Sequence, residues 1–200
     1  MIRDRYPGAD VLAQRGHWDE ATRRVVMDRV RNVPRFRFFT EHERDVLQAL
    51  CARVVPQDHR PPDRFVPIAP WIDQRCANGT IDGFQFDDMP RNEEAWRIGL
   101  LGVDQTAQHL FGRGFTELGE QEQDDVLQAV RGGHPEGEAW KRLNVHRFWL
   151  NVALRQIVGI YYAHPYAWDE IGFGGPAYPR GYAALNHGAR EPWETPEVSS

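Results

Sequence analysis

The sequence predicts an all-α fold: a single helical domain of five or six helices, then a long irregular C-terminal arm rich in aromatics, proline and glycine. Three observations predict it. Apolar residues recur at i, i+3 and i+4 through most of the first four fifths of the chain. Apart from one hairpin candidate, no stretch alternates with a strand period for long. Beyond Ala163, prolines and glycines are too frequent for any long helix. The expected organisation is a charged N-terminal helix and connector over residues 1–35, a helical domain over 36–162 and the arm over 163–200.

Residues 18–30 read as a first helix, strongly charged, with Val25, Val26 and Val30 as a thin apolar stripe. A helix that polar is stable only when docked. Pro34 ends it, and Phe36, Phe38 and Phe39 follow in an extended connector as expected core plugs. Thr40 and Glu43 form a capping box. Behind it Val46, Leu47, Leu50, Cys51 and Val54 carry a second helix to about Val55. A short helix over 66–77 places Ile68, Ile72 and Cys76 on one face. The Asn-Gly and Asp-Gly steps of NGTIDGFQFDDMP are compatible with a small hairpin. A long helix over 90–111 buries Trp96, Leu100, Val103, Ala107, Leu110 and Phe111, and Gly112 ends it. Another helix covers 120–130 and stops at Gly132-Gly133. The last helix, about 136–161, is the most apolar and is expected to be buried on two sides.

The stretch from Tyr161 to Trp193, YYAHPYAWDEIGFGGPAYPRGYAALNHGAREPW, carries large rings at Tyr161, Tyr162, Tyr166, Trp168, Phe173, Tyr178, Tyr182 and Trp193. Buried together, eight such rings hide on the order of 1,200–2,000 Å², the size of a standard protein–protein interface. A segment of that composition must lie on something, its own domain or another chain. A mixture is expected, with some rings anchored inward and others presented outward.

Composition removes several functions. A net charge of −5 argues against phosphate-driven nucleic-acid binding. Lys141 is the only lysine and serine occurs only at Ser199 and Ser200, so neither a P-loop nor a serine nucleophile in a structured site is available. Cys51 and Cys76 show no metal spacing and read as small hydrophobes. No GxGxxG after a strand, GxSxG or HExxH occurs, and the eight histidines are scattered without ligand spacing. No apolar run spans a bilayer. The first residues lack an apolar signal region and Arg23-Arg24 is followed by charge, so the expectation is a cytoplasmic protein.

Two local features invite a functional reading. His164, Asp169 and Glu170 form a titratable cluster that suits a general base in a self-contained enzyme. Equally, the carboxylates can cap backbone while His164 terminates a helix. The run Gly172-Phe173-Gly174-Gly175-Pro176 has neither the following helix nor the lysine of a phosphate cradle, and reads as backbone passing close to a neighbouring surface.

The order TEHERDVLQALCARVVPQD, LGEQEQDDVLQAVRGG and the terminal YYAHPYAWDEIGFGGPAYPRGY with EPW resembles the gluconate 2-dehydrogenase subunit 3 family over residues 39–193. The resemblance implies a small, non-catalytic subunit that binds and stabilises a large FAD-containing oxidoreductase of the glucose–methanol–choline class. That partner oxidises a sugar, glycoside or sugar acid, with a haem c or other electron-acceptor protein in the same chain of transfer. It implies no cofactor in this chain and FAD in the partner. Relatives that begin with a twin-arginine signal make the periplasm the alternative location. The expected partner-binding residues are Tyr166, Trp168, Phe173, Tyr178, Tyr182 and Trp193 as aromatic anchors, with Arg180 for a bidentate carboxylate contact. A stand-alone helical binding module is the remaining alternative.

Overall fold

Residues 5–80, 83, 85–183 and 188–198 are described in a computed structural model of the chain. Among them all regular structure is helical, so the chain is all-α. The α-helical segments are α1 (Glu20–Arg31), α2 (Glu41–Val54), α3 (Ile68–Ala77), α4 (Asn92–Phe111), α5 (Glu120–Gly132), α6 (Val145–Arg147), α7 (Arg155–Ala163) and α8 (Pro165–Trp168). A π-helical stretch, Phe148–Leu154, joins α6 to α7 into one continuous helix, and short 3-10 turns link several others. Eight segments replace the expected five or six. The excess comes from the last helix and from a single turn at the start of the arm. The proposed hairpin rests partly on residues 81, 82 and 84, which lie outside the described residues.

The residues fall into two compact units. The larger is built from Pro34–Arg60 and Pro67–Ile160, the smaller from described parts of Met1–Val33, Pro61–Val66 and Tyr161–Ser200.

In the larger unit α2 starts where the capping box predicts. Thr40 Oγ1 accepts from the Glu43 N–H at 3.3 Å, and Glu43 Oε2 accepts from the Thr40 N–H at 2.8 Å. The connector before it is held by a residue the apolar pattern could not flag. Asp73, fully buried on α3, accepts from the N–H groups of Arg37 at 2.8 Å, Phe38 at 3.0 Å and Phe39 at 2.9 Å. Arg97 of α4 donates to the Phe38 carbonyl at 2.7 Å and lies 4.5 Å over the Phe38 ring. Only Phe39 is therefore a core plug. Phe36 and Phe38 are half-buried, covered by Arg44 and Arg97, because the extended backbone turns successive side chains to opposite sides.

The centre of this unit is α4 against the chain that follows α5. Gly99 and Gly102 sit where aromatic rings touch the helix backbone. A Cβ on Gly99 would stand 2.1 Å from Phe148, and one on Gly102 would stand 2.5 Å from Trp140. The Trp96 and Phe148 rings meet edge to face at 5.7 Å. Two buried indoles here find partners: Trp96 Nε1 donates to Gln156 Oε1 and Trp140 Nε1 to Thr106 Oγ1, both at 3.0 Å. On the other side, Arg53 of α2 grips Asp124 of α5 through two 2.8 Å bonds, which hold that carboxyl below its ordinary range. Cys51 and Cys76 are both buried, and burial pushes the Cys76 thiol up to about 12.

The expected helix over 136–161 is broken. Glu138–Arg142 forms a 3-10 turn, Leu143 is extended, and Asn144 caps a new start by accepting from the Arg147 N–H at 3.1 Å. Gly137, at φ 135°, and the seating of Trp140 on Gly102 hold this turn apart from the helix that follows. Nor is that helix buried on two sides. Phe148, Trp149, Val152, Ala153, Gln156 and Ile157 are inside, while Leu150 and Val158 are exposed. Leu110 is likewise exposed, at the end of α4 where the helix runs past the packed core.

Gly99→Ala should lower stability despite the better helix propensity of alanine. Propensity favours the change by about 0.5–1 kcal/mol, and overpacking against Phe148 costs about 1–3 kcal/mol or more. Gly159→Ala on α7, where a Cβ meets nothing within 4 Å, should instead stabilise. Asp73→Ala, which strands three backbone donors, should cost on the order of 3–5 kcal/mol. Urea denaturation of the three variants checks the order and the signs.

Candidate partner-binding arm

In the smaller unit, the arm packs on the N-terminal residues. Val11, Trp18, Val26 and Trp168 form its buried cluster, with Leu12 partly covered against them. The charged helix α1 is thus docked through Val26, while Val25 is 56% exposed and Val30 half-buried, so the expected valine stripe contributes mainly one residue. Asp169 Oδ1 accepts from the Val11 N–H at 2.7 Å and anchors the 3-10 turn Val11–His17. Glycine is required at two points of this packing. Gly172, at φ 66°, would place a Cβ 2.3 Å from the Tyr6 ring, and Gly175, at φ 85°, would place one 2.8 Å from Trp18 and Val11. The glycine run therefore permits close approach.

His164 both ends α7 and starts α8, with Pro165 at the first helical position. Its Nδ1 accepts from the Tyr166 N–H at 3.2 Å, and its Nε2 lies 3.1 Å from the Arg29 carbonyl oxygen. A carbonyl only accepts, so Nε2 carries the proton and the buried ring is held as one neutral tautomer. Glu170 accepts from the Tyr161 hydroxyl at 2.6 Å. His164, Asp169 and Glu170 are each engaged in holding the arm to itself or to the N-terminal residues. Among the described residues no group of three or more His, Cys, Asp or Glu is arranged to hold a metal.

The seven expected partner-binding residues are divided. Trp168 lies inside, its Nε1 donating to the Tyr162 carbonyl at 2.7 Å. Tyr166 is half-buried, with Arg64 stacked 5.0 Å from its centroid. Phe173 packs edge to face on Trp168 at 5.2 Å and is still 39% exposed. Tyr178 and Tyr182 point outward, at 65% and 53% exposed. Trp193 is half-buried, its ring 6.2 Å from that of Tyr182 and 4.1 Å beneath the Arg180 guanidinium.

Arg180 Nη1 donates to Gln14 Oε1 at 3.1 Å, while Nε and Nη2 are buried with no hydrogen-bond partner among the described residues. Trp193 Nε1 is in the same state. Nε and Nη2 form the edge that a carboxylate takes in a bidentate pair. The contributions of Gln14, Arg64 and Val11 were not legible in the sequence, since each meets the arm across roughly a hundred residues or more.

A family model described as gluconate 2-dehydrogenase subunit 3 matches residues 41–175, well over half of the chain. The chain belongs to the gluconate 2-dehydrogenase subunit 3 family. Membership in this family implies a place in a multi-subunit dehydrogenase complex. No curated protein and no solved structure matches the chain. For the subunit 3 match the C-terminal limit is informative. It takes in Tyr166, Trp168 and Phe173 but stops before Tyr178, Arg180, Tyr182 and Trp193, short of the range the motifs suggest. Among the described residues no helix is long and apolar enough to cross a membrane.

Trp168→Ala should cost about 3–5 kcal/mol in the smaller unit, whereas Tyr178→Ala and Tyr182→Ala should each stay within about 0.5 kcal/mol. Hydrogen exchange reads the difference: protection across residues 11–31 should collapse in the first variant and persist in the other two.

Proposed function

We propose that this chain is a non-catalytic accessory subunit that binds and stabilises a large FAD-containing oxidoreductase of the glucose–methanol–choline class. The partner oxidises a hydroxyl of a sugar, glycoside or sugar acid by hydride transfer to flavin, and electrons leave to a haem c or similar acceptor protein. Family membership over residues 41–175 carries this reading. The arm supports it in physical terms. Trp168 and Asp169 fasten its base to the N-terminal residues, so the outward rings are presented on an ordered support. Ordering before binding reduces the entropy lost on association, and exposed tyrosines next to an arginine are the side chains most often found at interface hot spots. The cluster that suited a general base has structural partners at each member, so the self-contained enzyme is not adopted.

The test is co-expression of tagged chain with the flavoprotein large subunit of its complex. Flavin absorption should co-elute with the chain in fixed ratio, and flavoprotein expressed alone should be less soluble or less stable. The combined change Phe173→Ala, Tyr178→Ala, Tyr182→Ala should lower recovery at least tenfold, since hot-spot truncations cost about 2 kcal/mol or more each. A colourless monomer beside a large subunit that is stable and active alone would overturn the proposal in favour of a stand-alone module.

A further inference from the structure

Four buried N–H donors of the smaller unit have no acceptor among the described residues: Trp18 Nε1, Trp193 Nε1, and Nε and Nη2 of Arg180. They are neighbours rather than scattered. The Arg180 guanidinium lies 4.1 Å over the Trp193 ring, so the indole nitrogen is within a ring's width of the charge. Arg180 Nη1 donates to Gln14, on the turn that leads into Trp18. The buried Gly174–Gly175 backbone touches both indoles. A Cβ on Gly174 would stand 3.0 Å from Trp193, and one on Gly175 2.8 Å from Trp18.

Native structures leave few buried donors unpaired. Water can answer an indole, but a covered guanidinium edge also lacks a countercharge, which water does not supply. The acids at the end of the arm do not supply it either. Glu191 accepts from the Ala183 N–H and Glu194 from the Glu191 N–H, and Arg180 Nε and Nη2 bond to neither. A carboxylate meets both needs. It is planar, carries charge, only accepts, and takes two parallel N–H bonds from Nε and Nη2. Because both atoms are covered, it reaches them only when arm residues part. The unpaired donors disfavour the closed arrangement and so favour that motion.

We propose that Arg180, with the Trp193 indole N–H beside it, is a carboxylate-binding site that the free arm keeps closed. The carboxylate has two possible sources, an Asp or Glu of the flavoprotein or a small free acid. The first deepens the accessory-subunit reading and rests on it. The second is independent of it.

Two experiments distinguish the sources. Free chain is titrated with sodium acetate, against sodium chloride at equal ionic strength, while the indole N–H resonances of Trp18 and Trp193 are followed. A small-acid site gives a saturable Trp193 shift with acetate alone, and Arg180→Met abolishes it. Tagged chain is also co-expressed with the large subunit. For a partner carboxylate, Arg180→Met should lower co-purified flavin at least about tenfold. Arg180→Lys, which keeps the charge but not the fork, should not restore it. Arg23→Met, at an exposed arginine of the same unit, should leave recovery unchanged.

Urea unfolding of the free chain separates binding from a structural role. Arg180→Met removes donors that lack acceptors, so its midpoint should be equal to wild type or higher. A lowered midpoint that accounts for lost capture makes Arg180 structural and overturns the proposal. If wild-type chain captures flavoprotein, the Arg180 variants capture it equally and acetate shifts nothing, the site is wrong while the accessory reading stands. If wild-type chain captures none, the accessory reading fails and the acetate titration alone decides the site.

Discussion

One buried carboxylate sets the geometry of the larger unit. Asp73 on α3 accepts from three consecutive backbone N–H groups of residues 37–39, a stretch with neither helix nor strand partners of its own. A buried charge is costly unless hydrogen-bonded, and buried amides are costly unless they find an acceptor. Each requirement answers the other. With the connector pinned, Thr40 stands where its capping box can start α2, and Arg97 reaches the Phe38 carbonyl and, at 3.3 Å, Glu43. The helix positions downstream inherit that starting point. Two glycines on α4 then set how closely the aromatic rings after α5 can approach.

The smaller unit solves a different problem. Its N-terminal residues are too polar to bury much of their own surface, and its arm has too many prolines and glycines to fold as a helix. Trp168 supplies the apolar mass that both lack, and Asp169 and His164 supply hydrogen bonds from the arm to Val11 and Arg29. Residues whose chemistry invites a catalytic reading are here the fasteners. What remains outward is Phe173, Tyr178 and Tyr182, while the unpartnered Nε and Nη2 of Arg180 are buried.

On the proposed accessory role the chain acts by what it touches, and the two units offer surfaces of different character. The arm presents aromatic rings on irregular backbone, which can follow an uneven partner. The helix of residues 145–163 leaves Leu150, Val158 and Gly159 exposed. An accessory role therefore requires no reactive group within the chain. It requires apolar surface held in place by contacts the chain makes with itself.

The sequence by itself determined what depends on near neighbours. The capping box of α2, the glycine stops of α4 and α5, the all-α class and the aromatic character of the arm are set by residues within a few positions of one another, so pattern exposes them. Burial of Cys51 and Cys76 and the close passage of the Gly172–Gly175 backbone were legible for the same reason. Tertiary structure alone decided the rest. That Asp73 is buried, that Trp168 faces inward while Tyr178 and Tyr182 face outward, that the last helix breaks before Asn144, and that Leu150 and Val158 stay uncovered all depend on which surfaces meet across tens to more than a hundred residues. Local periodicity states how apolar a helix is. Which of its apolar sides finds a neighbour is settled by packing, and here one side finds none within its own unit.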